Sequence, residues 1–258
     1  MCYDIYQLKE REFRRALRKG GLSEDEIKKI QEEWLNYQKQ HPEIYGPLFH
    51  VNGFEHNPLF TIIYDGSYKG TRFTWGLIPS WAKDKKTADD IRNKTINARG
   101  ETIFEKPSFR DAAKHKRCLI VVDGFFEYYH KDGKSYPYFV FRKDGEATFF
   151  GGLWSEWVDK ETGEIMESAT IVTTLANELM TKIHNNPKAD GPRMPLILEP
   201  SEFKTWLSSD DKIEIQELIN PLQNGELEAY TVHKLRGKES VANGPEAIEA
   251  FVYDGLVE

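Results

Sequence analysis

Cysteine is scarce in this chain: Cys2 and Cys118 are the only two among 258 residues. That count excludes a disulfide framework and a four-thiolate zinc site. No apolar stretch approaches the roughly 18 to 20 residues that cross a bilayer, so no membrane association is expected. The start, Met1-Cys2-Tyr3-Asp4-Ile5-Tyr6, lacks the basic region, apolar core and small-residue cleavage site of a secretory signal, and the expected compartment is the cytoplasm. Internal repeats, low-complexity tracts and Pro- or Ser-rich linkers are missing too. His41, His50, His56, His115, His130 and His233 form no metal-ligand spacing such as His-Glu-x-x-His, and no metal or cofactor is expected.

What is present reads as a soluble globule, with 39% apolar and 30% charged residues in a length that suits one large domain or two small ones. The net charge of −7 argues against an indiscriminate nucleic-acid coat protein. The average hides an asymmetry. Trp81 to Arg117 carries eleven Lys or Arg against six Asp or Glu, while Glu199 to Glu258 carries five against thirteen. The basic stretch can hold a polyanion on one face; solvated surface explains it equally.

Along the chain, Cys2 to Tyr6 alternates like a short strand. Lys9 to His41 then places Phe13, Leu17, Ile27, Ile30, Trp34 and Tyr37 at helical spacing, which predicts two helices broken at Gly20-Gly21. Ser23 followed by Glu26 has the form of a capping box and predicts the start of the second helix. Short β-branched and aromatic runs follow at Leu59 to Tyr64, Thr71 to Leu77, Leu119 to Val122, Phe125 to Tyr129, Tyr138 to Arg142, Thr148 to Leu153 and Ser168 to Thr174. Asp132-Gly133 and Asp144-Gly145 read as turns between successive hairpins, giving an antiparallel meander. Helical patterns recur at Phe109 to Lys116, Ala176 to His184, Glu202 to Leu207 and Lys212 to Leu218. The fold class is a single α+β domain.

The residue richest in chemistry is Cys2. Removal of Met1, favoured before a small side chain, leaves an α-amine and a thiol on adjacent carbons. An α-amine has a pKa of about 7.7 to 8.0 against about 10.4 for lysine, so roughly a tenth is unprotonated at neutral pH. Such an amine attacks an aldehyde to give a Schiff base, and the neighbouring thiol closes on the same carbon to make a thiazolidine ring. By position alone, an incidental cysteine beside the start codon is the plainer reading. Glu127, in Gly124-Phe125-Phe126-Glu127-Tyr128-Tyr129, is a carboxylate among aromatics at the end of a very apolar run, a setting suited to a proton shuttle. An alternating strand that turns Glu127 to solvent fits the same pattern. Cys118, inside Cys118-Leu119-Ile120-Val121-Val122, reads as a buried small hydrophobe.

In chain order stand Met1-Cys2, Trp75-Gly76-Leu77-Ile78-Pro79-Ser80-Trp81, Asn97-Ala98-Arg99-Gly100-Glu101-Thr102, Lys106-Pro107-Ser108-Phe109-Arg110, Arg117-Cys118-Leu119, Gly124-Phe125-Phe126-Glu127 and Arg193-Met194-Pro195. With these motifs the chain resembles the SRAP family, the abasic-site processing proteins also called SOS response-associated peptidases, from residue 2 to about residue 235. The resemblance implies a mixed, mostly antiparallel β pseudo-barrel core surrounded by helices, with the domain at 1–240, a helical insertion at about 9–41, and a C-terminal tail, 241–258, packed on the domain or partly flexible. It implies covalent capture of abasic sites in single-stranded DNA, including gaps or fork junctions, by a monomer that associates with the nucleoid through DNA. Cys2 would be the nucleophile, Asn97 would position the amine and sugar, Glu127 would relay protons, and Arg99, Arg193 and Lys94 would meet the DNA backbone. Trp75 is placed beside the DNA channel, with core packing as its rival; Trp81 reads as core.

Two departures stand out. The family's histidine precedes Arg-Met-Pro by two positions, whereas eight residues, Asn185 to Pro192, separate His184 from Arg193 here. His184 is still the best match, and an Asn-, Pro- and Gly-containing insertion can loop out without moving either end; a helix C-terminal histidine favoured by the helix dipole is the alternative. The family's Cys-Gly-Arg start is Cys2-Tyr3-Asp4, which removes one phosphate contact and puts a carboxylate where it is expected to repel the strand. Two other classes fit parts of the pattern: a cysteine peptidase using Cys2 with His184 and Asn97 or Glu127, and a noncatalytic single-strand binder; limited self-cleavage that exposes Cys2 is compatible with both the capture and the peptidase readings.

Overall fold

The structure, a computed structural model, describes residues 2–6, 13–40, 49–241 and 243–256. Strand β1 (Asp4–Tyr6) precedes two helices, α1 (Phe13–Lys19) and α2 (Glu24–Gln40). The break falls at Gly20-Gly21, where Gly21 takes a φ of 82° that side chains disfavour. The capping box forms as the sequence predicts: the Ser23 N–H donates to Glu26 Oε2 at 2.9 Å, and the Glu26 N–H donates to Ser23 Oγ at 3.3 Å. Leu17, Ile27, Ile30 and Trp34 are buried. The expected helix start at Lys9, its end at His41 and the side chains of Phe13 and Tyr37 lie outside the described residues.

The remaining elements are β2 (Val51–Asn52), β3 (Pro58–Tyr64), β4 (Tyr68–Trp75), α3 (Lys85–Arg92), β5 (Asn97–Arg99), α4 (Arg110–His115), β6 (Arg117–Val122), β7 (Gly124–Lys131) and β8 (Lys134–Arg142). They continue with β9 (Thr148–Val158), β10 (Ile165–Leu175), α5 (Glu178–Ile183), β11 (Arg193–Pro195), α6 (Phe203–Ser208), α7 (Lys212–Glu217) and β12 (Leu227–Thr231). The strands form two sheets of order β12-β8-β7-β1-β2 and β11-β10-β4-β3-β6-β9, and β5 runs parallel to β10. The result is a single α+β domain of mixed, mostly antiparallel sheets.

The two Asp-Gly turns do different things. Asp132 and Gly133, with φ of 51° and 73°, close the β7–β8 hairpin. Asp144-Gly145 instead carries the chain out of one sheet into the other, because β8 pairs with β7 and β12 while β9 pairs with β6 and β10. The expected meander is therefore a crossover at this point. A dipeptide specifies how the chain reverses; the apolar faces of the strands choose their partners.

Ile5, Phe125 and Val140 of the first sheet meet Leu59, Phe73, Ile120, Phe150 and Ile171 of the second in one buried cluster. Phe125 and Phe150 touch edge to face at 5.7 Å between centroids. Cys118 belongs to this cluster, and burial pushes its thiol up, as suits a packing residue. Truncating Phe150 to alanine is expected to cost about 3 to 5 kcal/mol, seen as a lowered denaturant midpoint with an unchanged slope. A loss below about 1 kcal/mol would mean that the sheets are not held through this ring.

Arg117, a member of the motif Arg117-Cys118-Leu119, is a buried strut. Its guanidinium donates to the carbonyls of Ala113, Lys114, Trp206 and Ser209, tying α4 and α6 to β6. The described end of the chain packs on β12: the Phe251 N–H donates to Thr231 O at 2.8 Å, and the Tyr253 hydroxyl donates to Val232 O at 2.7 Å.

Candidate functional site

Four segments distant in sequence converge where β1 begins. Strand β1 lies antiparallel to β7 with Asp4 opposite Phe126, so the residues before Asp4 run alongside Glu127. Cys2 has no exposed surface, and its Sγ donates a long hydrogen bond to Asp4 O at 3.7 Å. Burial, and next the negative charge of Glu127, push the Cys2 thiol well above its ordinary value. It is a thiol, not a thiolate, at neutral pH.

Asn97 opens β5, held parallel to β10 with Ile171 as its register partner. Its Nδ2 donates to Cys2 O at 2.9 Å. The other end of that amide, Oδ1, is buried and has no hydrogen-bond partner among the described residues. A buried acceptor left unmade is costly, so an orphan beside a residue that can carry a free amine points to a donor still to arrive.

Of the two tryptophans, Trp75 takes the core place that rivalled the DNA channel, and Trp81, expected in the core, is exposed. Trp75 is fully buried and donates from Nε1 to Ile96 O at 2.9 Å, a strut behind Asn97 with no face open to a base. Trp81 is 45% exposed, with its Nε1 donating to Pro107 O. The apolar run around Trp75 belongs to the end of a central strand, which buries the ring.

Glu127 is buried, with Oε1 accepting from the Tyr128 N–H at 3.1 Å and Oε2 lying 3.9 Å from His184 Nδ1. His184 follows α5, and its Nδ1 lies 2.9 Å from Arg193 N and 3.0 Å from Arg193 O, so it accepts from the N–H in one tautomer and donates to the carbonyl in the other. The eight residues between them, Asn185 to Pro192, thus loop out and leave His184 against Arg193. The Asn185 amide pins the loop to β7 by accepting from the His130 N–H at 2.6 Å and donating to His130 O at 3.0 Å.

Glu127 and His184 line a cleft of about 560 Å³ together with Tyr3, Arg99, Lys234 and Arg236. Arg99 reaches it from β5, with Nη1 donating to Asp190 Oδ2 at 2.8 Å. Arg193 also borders the cleft, but its guanidinium is buried and donates to both Glu101 oxygens at 3.0 and 2.7 Å and to Thr173 O at 2.9 Å. Those bonds make it an internal strut. Lys94 is exposed just beyond α3 and is not among the residues lining the cleft.

Asp4 departs most from expectation. It is 1% exposed rather than facing a bound strand. Its Oδ1 lies 2.8 Å from His50 Nε2, and its Oδ2 accepts from Arg236 Nη2 at 2.6 Å. The carboxylate is enclosed and countered, so it does not repel. Sequence reasoning missed His50 and Arg236, and no local signal marks them: Arg236 lies 232 residues from Asp4, in a segment whose net charge is negative. Among the described residues no cluster of three His, Cys, Asp or Glu side chains could hold a metal ion, and no helix is long and apolar enough to cross a membrane.

Comparison with known proteins adds a family and a fold. A family model described as SOS response associated peptidase (SRAP) matches residues 20–238. The abasic site processing protein YoqW of Bacillus subtilis is 39% identical over 210 residues, covering 80% of this chain and 87% of the relative. The abasic site processing protein HMCES of Gallus gallus is 30% identical over 172 residues, covering 58% of this chain and 49% of the relative. A crystal structure of a protein from Bacteroides thetaiotaomicron superposes with a TM-score of 0.79 at 31% identity, covering 97% of this chain and 100% of the other.

Proposed function

The chain belongs to the SOS response associated peptidase (SRAP) family, and on that premise we propose that it processes abasic sites by capturing the ring-opened sugar in single-stranded DNA through Cys2. The observation that carries the reading is the grip on Cys2: Asn97 holds its carbonyl at 2.9 Å and keeps a buried acceptor free beside it.

Removal of Met1 gives Cys2 the amine for which Asn97 Oδ1 is the acceptor. The neutral amine adds to the aldehyde carbon of the open sugar to form a carbinolamine, which loses one water to give the Schiff base. The Cys2 sulfur then bonds to that carbon as the C=N π pair moves to nitrogen, and the S–H proton ends on the same nitrogen. The net change is one C–N and one C–S bond formed and one water released. Glu127 and His184, on the cleft side of this spot, serve as the acid and base that move protons during sugar ring opening and dehydration.

The protonated Cys2 thiol supports amine-first capture over a peptidase, whose nucleophile gains from being thiolate. Abasic DNA is the partner, held through backbone phosphates without regard to base identity.

Keeping Met1 or an N-terminal tag ties the amine into an amide and leaves the thiol intact. That protein is expected to form no thiazolidine, while the processed chain forms an adduct of protein plus abasic oligonucleotide minus one water by intact mass. Equal crosslinking by the amine-blocked protein sinks the mechanism.

A further inference from the structure

The Asp4 contact that removes the expected repulsion also supplies a cation. Arg236 is 43% exposed at its side chain while its Asp4 partner is 1% exposed, so the carboxylate sits behind and the guanidinium in front. Among the described residues its hydrogen bond is the one from Nη2 to Asp4. A guanidinium carries five N–H donors in a planar fork, which leaves most of that fork for a ligand. The plane is further constrained by Tyr128, whose ring lies 5.5 Å from the Arg236 Cζ. Arg236 and Arg99 line the same cleft as Glu127 and His184. The partner of Arg99, Asp190, is 83% exposed, and such a surface ion pair is weak enough to yield to an incoming anion.

We propose that Arg236 binds a backbone phosphate of the DNA strand in this cleft, and that buried Asp4, itself held by His50, is the positioning residue that aims it. The assignment rests on the capture reaction proposed above. It deepens that reading by naming where the sugar's flanking phosphate is held. A carboxylate two residues after the nucleophile then recruits a cation from the far end of the chain to a place where an arginine is missing.

The test uses a single-stranded oligonucleotide with a tetrahydrofuran abasic analogue, which has no aldehyde and cannot crosslink, so binding is read apart from chemistry. Arg236→Gln is expected to weaken binding about tenfold at low salt and to reduce the slope of log K against log salt by about 0.7, one phosphate contact on a single strand. The double variant Asp4→Asn/Arg236→Gln leaves no unpaired buried charge and is expected to lose the same slope. Wild-type affinity and slope in both variants would make Arg236 only the internal counterion of Asp4 and overturn the proposal. Asp4→Asn alone removes a negative charge yet is expected to weaken binding about threefold, because an unaimed guanidinium loses its fixed geometry; tighter binding would overturn the positioning role. A wild-type chain that binds this oligonucleotide but never crosslinks an aldehydic one would sink the capture reaction and leave the Arg236 assignment standing.

Discussion

Replacing Cys2 by alanine is expected to remove the heat- and denaturant-resistant adduct with abasic single-stranded DNA while leaving an imine that borohydride can trap. The two outcomes separate the amine from the sulfur. After Met1 removal the variant still presents an α-amine in the same place, and at neutral pH that amine is unprotonated about two hundredfold more often than a lysine. A Schiff base alone exchanges with water; ring closure by the adjacent sulfur makes the link durable. Little else at the site should change, since Asn97 holds the backbone carbonyl of residue 2 and not its side chain. A cysteine peptidase would lose peptide turnover in this variant and show no imine, and a passive binder would form no adduct before or after the change. A durable adduct persisting in Cys2→Ala would transfer the chemistry to another residue.

Local pattern and chemical type were legible in the sequence; partners were not. The alternating runs located β3, β4 and β6 through β10, and Ser23 with Glu26 fixed the start of α2, because each depends on residues within a few positions. Strands β2, β5 and β12 span two to five residues and carry too little periodicity to stand out. The route of the chain after Asp144-Gly145 depended on long-range burial, which no dipeptide encodes. In the site, Cys2, Asn97, Glu127 and His184 were named from residue chemistry and family likeness. The convergence of the first three follows from the registers of β1 on β7 and of β5 on β10, and His184 joins them through α5 and its contact with Arg193. Trp75 and Trp81 share a motif, but one ends a central strand and the other lies in the loop that follows it, and burial follows the element. Asp4 shows the limit most clearly. Its sign was read correctly and its effect was not, because the answering charge lies at Arg236.

Glu127→Gln is expected to slow crosslinking by about a hundredfold or more, within the range that positioned acid–base groups contribute, while DNA binding stays at least as tight. Glutamine keeps the shape of the side chain and an oxygen to accept the Tyr128 N–H, now at 3.1 Å from Oε1, so the strand is not asked to move. What it loses is the ability to take a proton from one group and give it to another. Carbinolamine dehydration needs a proton delivered to the departing oxygen, and ring closure needs one moved from sulfur to nitrogen. On the capture reaction proposed above, Glu127, with His184 Nδ1 3.9 Å from its Oε2, is the carboxylate that carries both transfers. The direction of the effect is decisive, because Glu127 also pushes the Cys2 thiol up. Removing its negative charge makes the thiolate easier to form. If capture were limited by thiolate attack, Glu127→Gln would crosslink faster than the parent; if it is limited by proton transfer through the carboxylate, the same substitution slows it. Single-turnover rates of adduct formation at neutral pH, at saturating abasic oligonucleotide, distinguish the two, and a faster Glu127→Gln variant would exclude the relay.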